Sequence, residues 1–244
     1  MKNTDVHWER IRHSVWAGVY LSEIYWLARD TAHHCEAIFE DVKAPPNAAD
    51  SYFLVDRELH MRIYQILNNA ARIAAFLKQR GKRNQSAGQY AIQQERVKWL
   101  RSVFDGVETT EISHARVRNS LEHFDEYIDE TALKSSRGDI PKPTFFPMDM
   151  AFGQAGTMDR FAAGRLSNAH SYPLRVYLAD ERTFVNCGQK VSLDAIARES
   201  SAIVARLHAM SPMRFRPLAD TSAEAGATIL VVSKDHYDRE RADY

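Results

Sequence analysis

The stretch LVDRELHMRIYQILNNAARIAAFL (residues 54–77) carries a regular helical pattern. Its large apolar residues recur at the three- and four-residue spacing that places side chains on one face of an α-helix. These residues are Leu54, Leu59, Ile63, Ile66, Leu67, Ile73 and Leu77. Asp50 or Ser51 is expected to cap the helix, and Gly81 follows its expected end near Gln79. The stretch therefore predicts a long amphipathic helix with one buried face.

Three further helices are predicted around this one. Residues 4–40 form the first, and Pro45-Pro46 breaks it because proline lacks a backbone donor. The third helix is expected around 89–105, where Gly106 ends it, and the fourth from Thr109 or Thr110 to about Leu133. The first helix is expected to bury an apolar stripe supplemented by aromatic side chains: Val15, Val19, Ile24, Leu27 and Ile38, with Trp8, Trp16, Tyr20 and Trp26. Four long helices with short connections predict a mainly α protein built on an antiparallel four-helix bundle over residues 1–133.

The pattern changes after this bundle. Residues 134–170 are rich in glycine, proline and serine and predict an irregular linker. Residues 171–244 predict a small α+β extension. Within it, Leu174–Leu178 and Thr183–Asn186 should form a hairpin, and Ser192 should cap a helix over 193–210. The extension also contains a strand-like run at Thr228–Val232 and a charged tail at His236–Tyr244.

Composition narrows the function classes. Thirty-two basic residues balance thirty-two acidic ones, so no bulk attraction to nucleic acid or anionic membrane is implied. Cys35 and Cys187 are too few for a disulfide framework and lack zinc-site spacing. The charged N-terminus offers no apolar signal core, and no apolar run approaches the roughly 20 residues of a membrane span. These features predict a cytoplasmic protein that does not bind a membrane.

One segment carries a chemically specific pattern. On a helical wheel from His114, Val117, Leu121, Phe124 and Ile128 cluster on one side and are expected to face the core. Arg118, Asn119 and His123 fall on the other side. Arginine can hold a phosphate through two contacts, and histidine can exchange a proton near neutral pH. Asparagine can orient either partner by hydrogen bonding. An RNA strand supplies its own 2′-hydroxyl nucleophile, so such a site needs neither metal nor cofactor.

The string RNSLEHFDE (residues 118–126) resembles the motif of HEPN-type ribonucleases, in which an arginine and a polar residue precede a histidine. The resemblance covers about residues 1–133. It implies catalytic roles for Arg118, Asn119 and His123 and a homodimer whose paired motifs form one site. It also implies an RNA substrate and a toxin or defence role with a protein antitoxin or regulatory partner. Members paired with nucleotidyltransferases carry tyrosine two positions after the histidine, where this chain has Asp125.

The residues of this motif also allow a structural interpretation. Arg118 can form a helix salt bridge with Glu122, and His123 can make polar contacts at an interface. Glu122 and Glu126 on the same face would repel a phosphate. The alternative function is therefore a catalytically inactive HEPN-like module that binds a nucleotide or a protein.

The remaining sequence patterns do not predict a second kind of functional site. His33, His34 and Cys35 are adjacent on a helix, so their side chains point in different directions and cannot share one metal with Cys187. The basic cluster Lys78–Arg83 is most simply a solvated helix end. The chain has neither a glycine-rich phosphate loop nor a serine-hydrolase elbow.

Overall fold

The computed structural model is mainly helical, with a small mixed sheet packed onto the helices. The structure describes residues 15–43, 53–54, 57–79, 81, 86–114, 122–138, 145–154, 170–212 and 214–215. The predicted strand at Thr228–Val232, the charged tail and the first fourteen residues lie outside these ranges.

Five helices are present in the described part of the chain: α1 Val15–Asp41, α2 Arg57–Leu77, α3 Ala87–Val103, α4 Phe124–Arg137 and α5 Leu193–Met210. Four of them, α1, α2, α3 and α5, form where the sequence patterns predict helices. A capping box at Ser86 and Gln89 begins α3, and Ser192 accepts a hydrogen bond from the backbone of Ala195 at the start of α5. After α3 the chain turns through Gly106, whose φ of 78° favours glycine.

The strands are β1 Phe53–Leu54, β2 Phe145–Met148, β3 Ala151–Gly153, β4 His170–Pro173, β5 Arg175–Leu178, β6 Thr183–Asn186 and β7 Gln189–Ser192. Five of them form one sheet in the order β1-β3-β5-β6-β7, in which only β3 and β5 pair in parallel. The predicted hairpin is confirmed as β5 and β6, with Tyr177 opposite Phe184. The strands β2 and β4 pair separately, in parallel.

One hydrophobic core joins the N-terminal helices to the sheet and to α5. The helix α1 packs on both α2 and α5, and the core contains Ile24, Ile63, Tyr177 and Ile203, all fully buried. Arg214, just beyond α5, donates hydrogen bonds to the carbonyl of Gly18 and the hydroxyl of Ser22. A Cβ at Gly18 would lie 2.5 Å from this guanidinium, so glycine permits the close approach. The predicted division of the chain stays a prediction: segments 1–133, 134–170 and 171–244. The described core contains residues of the first and the last segment.

Two predicted helix boundaries and one predicted linker are corrected. Leu54 lies in β1, where it pairs with Ala151, so tertiary strand pairing displaces the start of α2 to Arg57. The stretch from Thr109 to His114 forms turns instead of the start of a fourth helix. The segment 134–170 is not irregular throughout, because it contains the end of α4, the strands β2 and β3, and the first residue of β4.

Two expected core faces are also corrected. Ile128, predicted to face the bundle core, is 40% exposed. On α1 the expected apolar stripe is buried only in part: Val15 is 52%, Trp16 55%, Val19 51% and Trp26 60% exposed, whereas Ile24, Leu27 and Ile38 are buried. The helix packs on α2 and α5, and the buried residues that it contributes to their common core begin at Ile24. Among the helices in the described part of the chain, none combines the length and apolar character needed to cross a membrane.

The turn that replaces the start of the predicted fourth helix is held by a buried carboxylate. Glu199 of α5 accepts hydrogen bonds of 2.8 Å from the backbone N–H groups of Glu111 and Ile112. In return, the Glu111 carboxylate accepts a 2.7 Å hydrogen bond from the backbone of Ser192. Burial raises the pKa of Glu199, although the two backbone donors favour its charged form. Tertiary hydrogen bonds from Glu199 therefore pair two backbone donors of this turn, and residues far along the chain stabilise it.

Replacing Glu199 with alanine is expected to lower the free energy of unfolding by about 2 kcal/mol, because two buried backbone donors lose a charged acceptor. The change is measured by urea denaturation at neutral pH. The matched control is Glu181→Ala on the exposed turn between β5 and β6, with an expected change below about 0.5 kcal/mol. Equal changes in the two variants would show that Glu199 does not hold this turn.

Candidate functional site

Of the three residues predicted to form the site, His123 is the one that the structure describes. Arg118 and Asn119 lie outside the described residues. His123 lies in a turn directly before α4, and its carbonyl accepts a 3.2 Å hydrogen bond from the backbone of Tyr127. It was expected within a helix running from Thr109 to Leu133, and the structure places it instead in a turn between Glu122 and α4.

The side chain of His123 is accessible and already oriented. It is 56% exposed, and its Nδ1 lies 3.2 Å from Oε1 of Glu126, one turn further along the chain. A carboxylate in contact with one ring nitrogen fixes the plane of the ring and leaves the other nitrogen for a second partner. Glu122, Asp125 and Glu126 are all exposed around it, so the surface beside the imidazole is acidic.

A partly buried polar cluster contacts the residue next to His123. The Arg175 guanidinium of β5 lies 4.5 Å from the ring centroid of Phe124, the first residue of α4. Two of its nitrogens donate to the carboxylate of Asp149, each at 2.5 Å, and a third donates to the hydroxyl of Tyr64 at 2.7 Å. These hydrogen bonds, with that to Asp149 the strongest, raise the pKa of Arg175 further above its usual range. Arg175 is therefore a fixed cation that ties α4 to the sheet and to α2.

His60 of α2 lies beside this cluster. It is 1% exposed, and its ring packs edge-on against Phe184 with centroids 6.0 Å apart. Burial, followed by the charge of Arg175, lowers the pKa of His60 to about 4. The nearby backbone of Arg175 offsets only part of this lowering of the pKa. In the described structure, neither ring nitrogen of His60 has a hydrogen-bond partner. His60 is therefore a neutral imidazole at physiological pH.

Neither cysteine has the surroundings of a nucleophile. Both are buried, and burial raises the pKa of the Cys35 thiol to about 12 and that of the Cys187 thiol to about 11. The reactive species, the thiolate, is therefore scarce at neutral pH. Within the residues that the structure describes, no group of three or more His, Cys, Asp and Glu side chains is placed to hold a metal ion.

The sequence did not reveal the cluster of Arg175, Asp149, Tyr64 and His60. Arg175 and Asp149 are 26 residues apart, and Tyr64 is 111 residues from Arg175, so no local spacing relates them. The usable signals were a charged residue opening an otherwise apolar strand and a histidine on the apolar face of α2. Neither signal predicts a cluster alone, because only the fold shows which distant residues contact Arg175 and His60.

Comparisons with protein-family models, with curated proteins and with solved structures find no match to this chain.

Proposed function

We propose that this chain is a HEPN-like endoribonuclease that cleaves RNA without a metal ion. The observation that carries the proposal is the exposed imidazole of His123, oriented by Glu126 at the end of the segment Arg118–His123. In this proposal His123 exchanges the proton, Arg118 binds the phosphate and stabilises its developing charge, and Asn119 orients one of them. The role would be that of a toxin or defence protein regulated by a protein partner.

The proposed reaction is an internal transfer within the RNA. The 2′-oxygen attacks the adjacent phosphorus and loses its proton to a general base, and the 5′-oxygen of the next nucleotide leaves and takes up a proton. The products are a 2′,3′-cyclic phosphate and a 5′-hydroxyl end. Because Nδ1 of His123 contacts Glu126, Nε2 is the nitrogen that would exchange a proton with the substrate.

The HEPN-like four-helix bundle is part of the same proposal. Its support is the packing of α1 on α2 and of α2 on α3, with α4 following directly after His123. The acidic residues around His123 require compensation before a phosphate can bind. Arg118 would supply one positive charge, whereas Arg175, behind Phe124, is already paired with Asp149. A homodimer, in which two motifs face each other across a two-fold axis, would bring two Arg118 side chains to one site.

We expect the purified protein to cleave single-stranded RNA in the presence of a chelator. Arg118→Ala and His123→Ala should each lower the cleavage rate roughly 100-fold, the scale of positioned acid–base and charge-stabilising groups. The double variant should be scarcely slower than either single one, because members of one catalytic unit are not additive. His123 is exposed, so its replacement should change the free energy of unfolding by less than about 1 kcal/mol. His33→Ala, an exposed histidine on α1, is the matched control and should cleave like the wild type.

Three outcomes would contradict the proposal in different ways. If cleavage stops with the chelator and returns with Mg²⁺, RNA is still the substrate but the metal-independent mechanism is wrong. A light-scattering mass of a monomer with full activity would reject the composite site. A wild type inert on diverse RNAs, with variants that unfold or dissociate more easily, would favour a non-catalytic interaction module.

A further inference from the structure

One face of α1 carries apolar side chains that the described residues leave exposed. Val15 is 52%, Val19 51% and Trp26 60% exposed. Together with Ser22 they follow one another at intervals of four, three and four residues, so the four side chains lie in one row along the helix. The row is about 16 Å long, because each residue advances an α-helix by about 1.5 Å. Contiguous exposed apolar surface of this kind marks a place where another segment or molecule packs.

The chain leaves the described core beside the middle of this row. Arg214 donates a hydrogen bond of 2.9 Å to the hydroxyl of Ser22 and one of 2.8 Å to the carbonyl of Gly18. Phe215 is buried, and its ring packs on that of Tyr25 with centroids 5.1 Å apart. These contacts fix Arg214 and Phe215 against α1, so the rest of the chain starts next to the exposed row.

The sequence after Phe215 contains an apolar run of matching length. Residues 216–244 are rich in charged and small residues, and Thr228–Val232 (TILVV) is their most apolar stretch. Five extended residues span about 16 Å, which is the length of the row on α1. The twelve residues 216–227 reach at most about 40 Å when fully extended, so the run can lie at any point of the row.

We propose that Thr228–Val232 packs on the exposed row of α1 within the same chain. The contact would remove apolar surface from water on both sides, on Val19 and Trp26 as well as on the run itself. Attachment at Phe215 favours this occupant over a second copy of the chain, because a short tether holds a segment at an effective concentration on the order of millimolar. This inference does not rest on the ribonuclease proposal.

The test replaces Val19 with a photo-crosslinking amino acid in the full chain and mixes isotopically light and heavy protein. Val19 is exposed, so the replacement should leave the fold intact. Mass spectrometry after digestion should find crosslinks from position 19 to residues 228–232, and each crosslinked pair should be all light or all heavy. The same amino acid in place of Lys98, exposed on α3, is the matched control and should not give these crosslinks.

Leu230→Asp, made in the chain that carries the probe at position 19, tests the contact itself. An ionised side chain is costly to bury against apolar groups, so this variant should lower the crosslink yield at least roughly fivefold. Ser222→Asp adds the same charge outside the apolar run and should leave the yield unchanged. Trp26→Asp, at an exposed position of the row, keeps the test decisive should Leu230→Asp unfold, and it should lower the yield to a similar extent.

Three results would overturn the proposal. Crosslinks that join a light chain to a heavy chain would show that a second copy covers this face of α1. The absence of crosslinks between position 19 and residues 216–244 would show that the segment does not pack there. Equal crosslink yields from Leu230→Asp and Ser222→Asp would show that the apolar run does not make the contact.

Discussion

Replacing Asp149 with alanine is expected to lower the free energy of unfolding by about 3 kcal/mol, the scale of a half-buried charge that loses its partner. Arg175 has 18% of its side chain exposed and donates two hydrogen bonds to Asp149, so removal of the carboxylate leaves a cation with only Tyr64 as acceptor. Urea denaturation at pH 7 measures the change. The loss should also weaken the contact of Arg175 with Phe124 at the start of α4, which tryptic cleavage near α4 would detect.

The matched control is Asp41→Ala, which removes an acceptor of Arg62 at the surface. Asp41 is 62% exposed, and Arg62 keeps Glu58 as a second acceptor, so the expected change is below about 1 kcal/mol. A double variant, Asp149→Ala with Arg175→Met, should recover part of the stability because no unpaired buried charge remains. If Asp149→Ala costs no more than Asp41→Ala, the Arg175 cluster does not stabilise the fold.

Lowering the pH from 7 to 5 should remove about 2 kcal/mol of stability through His60 alone, rising to about 3 kcal/mol below pH 4. The pKa of His60 is lowered to about 4 in the folded chain, by burial and by Arg175. At pH values between the folded pKa of about 4 and the unfolded pKa of about 6.5, His60 binds a proton in the unfolded chain but not in the folded chain. Acid therefore favours the unfolded state, and the contribution is fully regained above the unfolded pKa.

Carboxylates also change stability over this pH range, so the effect is isolated by comparison with His60→Leu. The difference in stability between pH 7 and pH 5 should be smaller in this variant by about 2 kcal/mol. His33→Leu on the exposed side of α1 is the control, because its ring is in solvent in both states. Identical pH profiles for the wild type and His60→Leu would show that His60 is protonated without unfolding.

Local signals predicted a large part of the fold. The helix α5 and the β5–β6 hairpin follow from a capping serine and from two β-branched runs around a polar turn, all within a few residues. The sequence patterns also predicted α3 and most of α1 and α2. In each case the residues that determine the element lie inside it or next to it.

The errors arise where distant residues decide the outcome. Leu54 has the spacing of a helix but pairs with Ala151, about a hundred residues later. The stretch from Thr109 was predicted to begin a helix, yet it forms turns whose backbone donors at Glu111 and Ile112 pair with the distant Glu199. For the candidate site, His123 is exposed, and the roles of Arg118, Asn119 and His123 stay predictions. The Arg175 cluster could not be predicted because its members come from three separate segments of the chain.

The contact of Arg214 with Gly18 and Ser22 has a consequence for the order in which the protein forms during synthesis. The helix α1 leaves the ribosome before its partner α5, and Arg214 follows Gly18 by 196 residues. Until then the face of α1 that α5 covers has no native partner. Long-range closure of this kind slows folding and exposes apolar surface to chaperones and to aggregation. A nascent chain stalled before residue 193 would therefore present α1 as a target for chaperones that bind apolar helices.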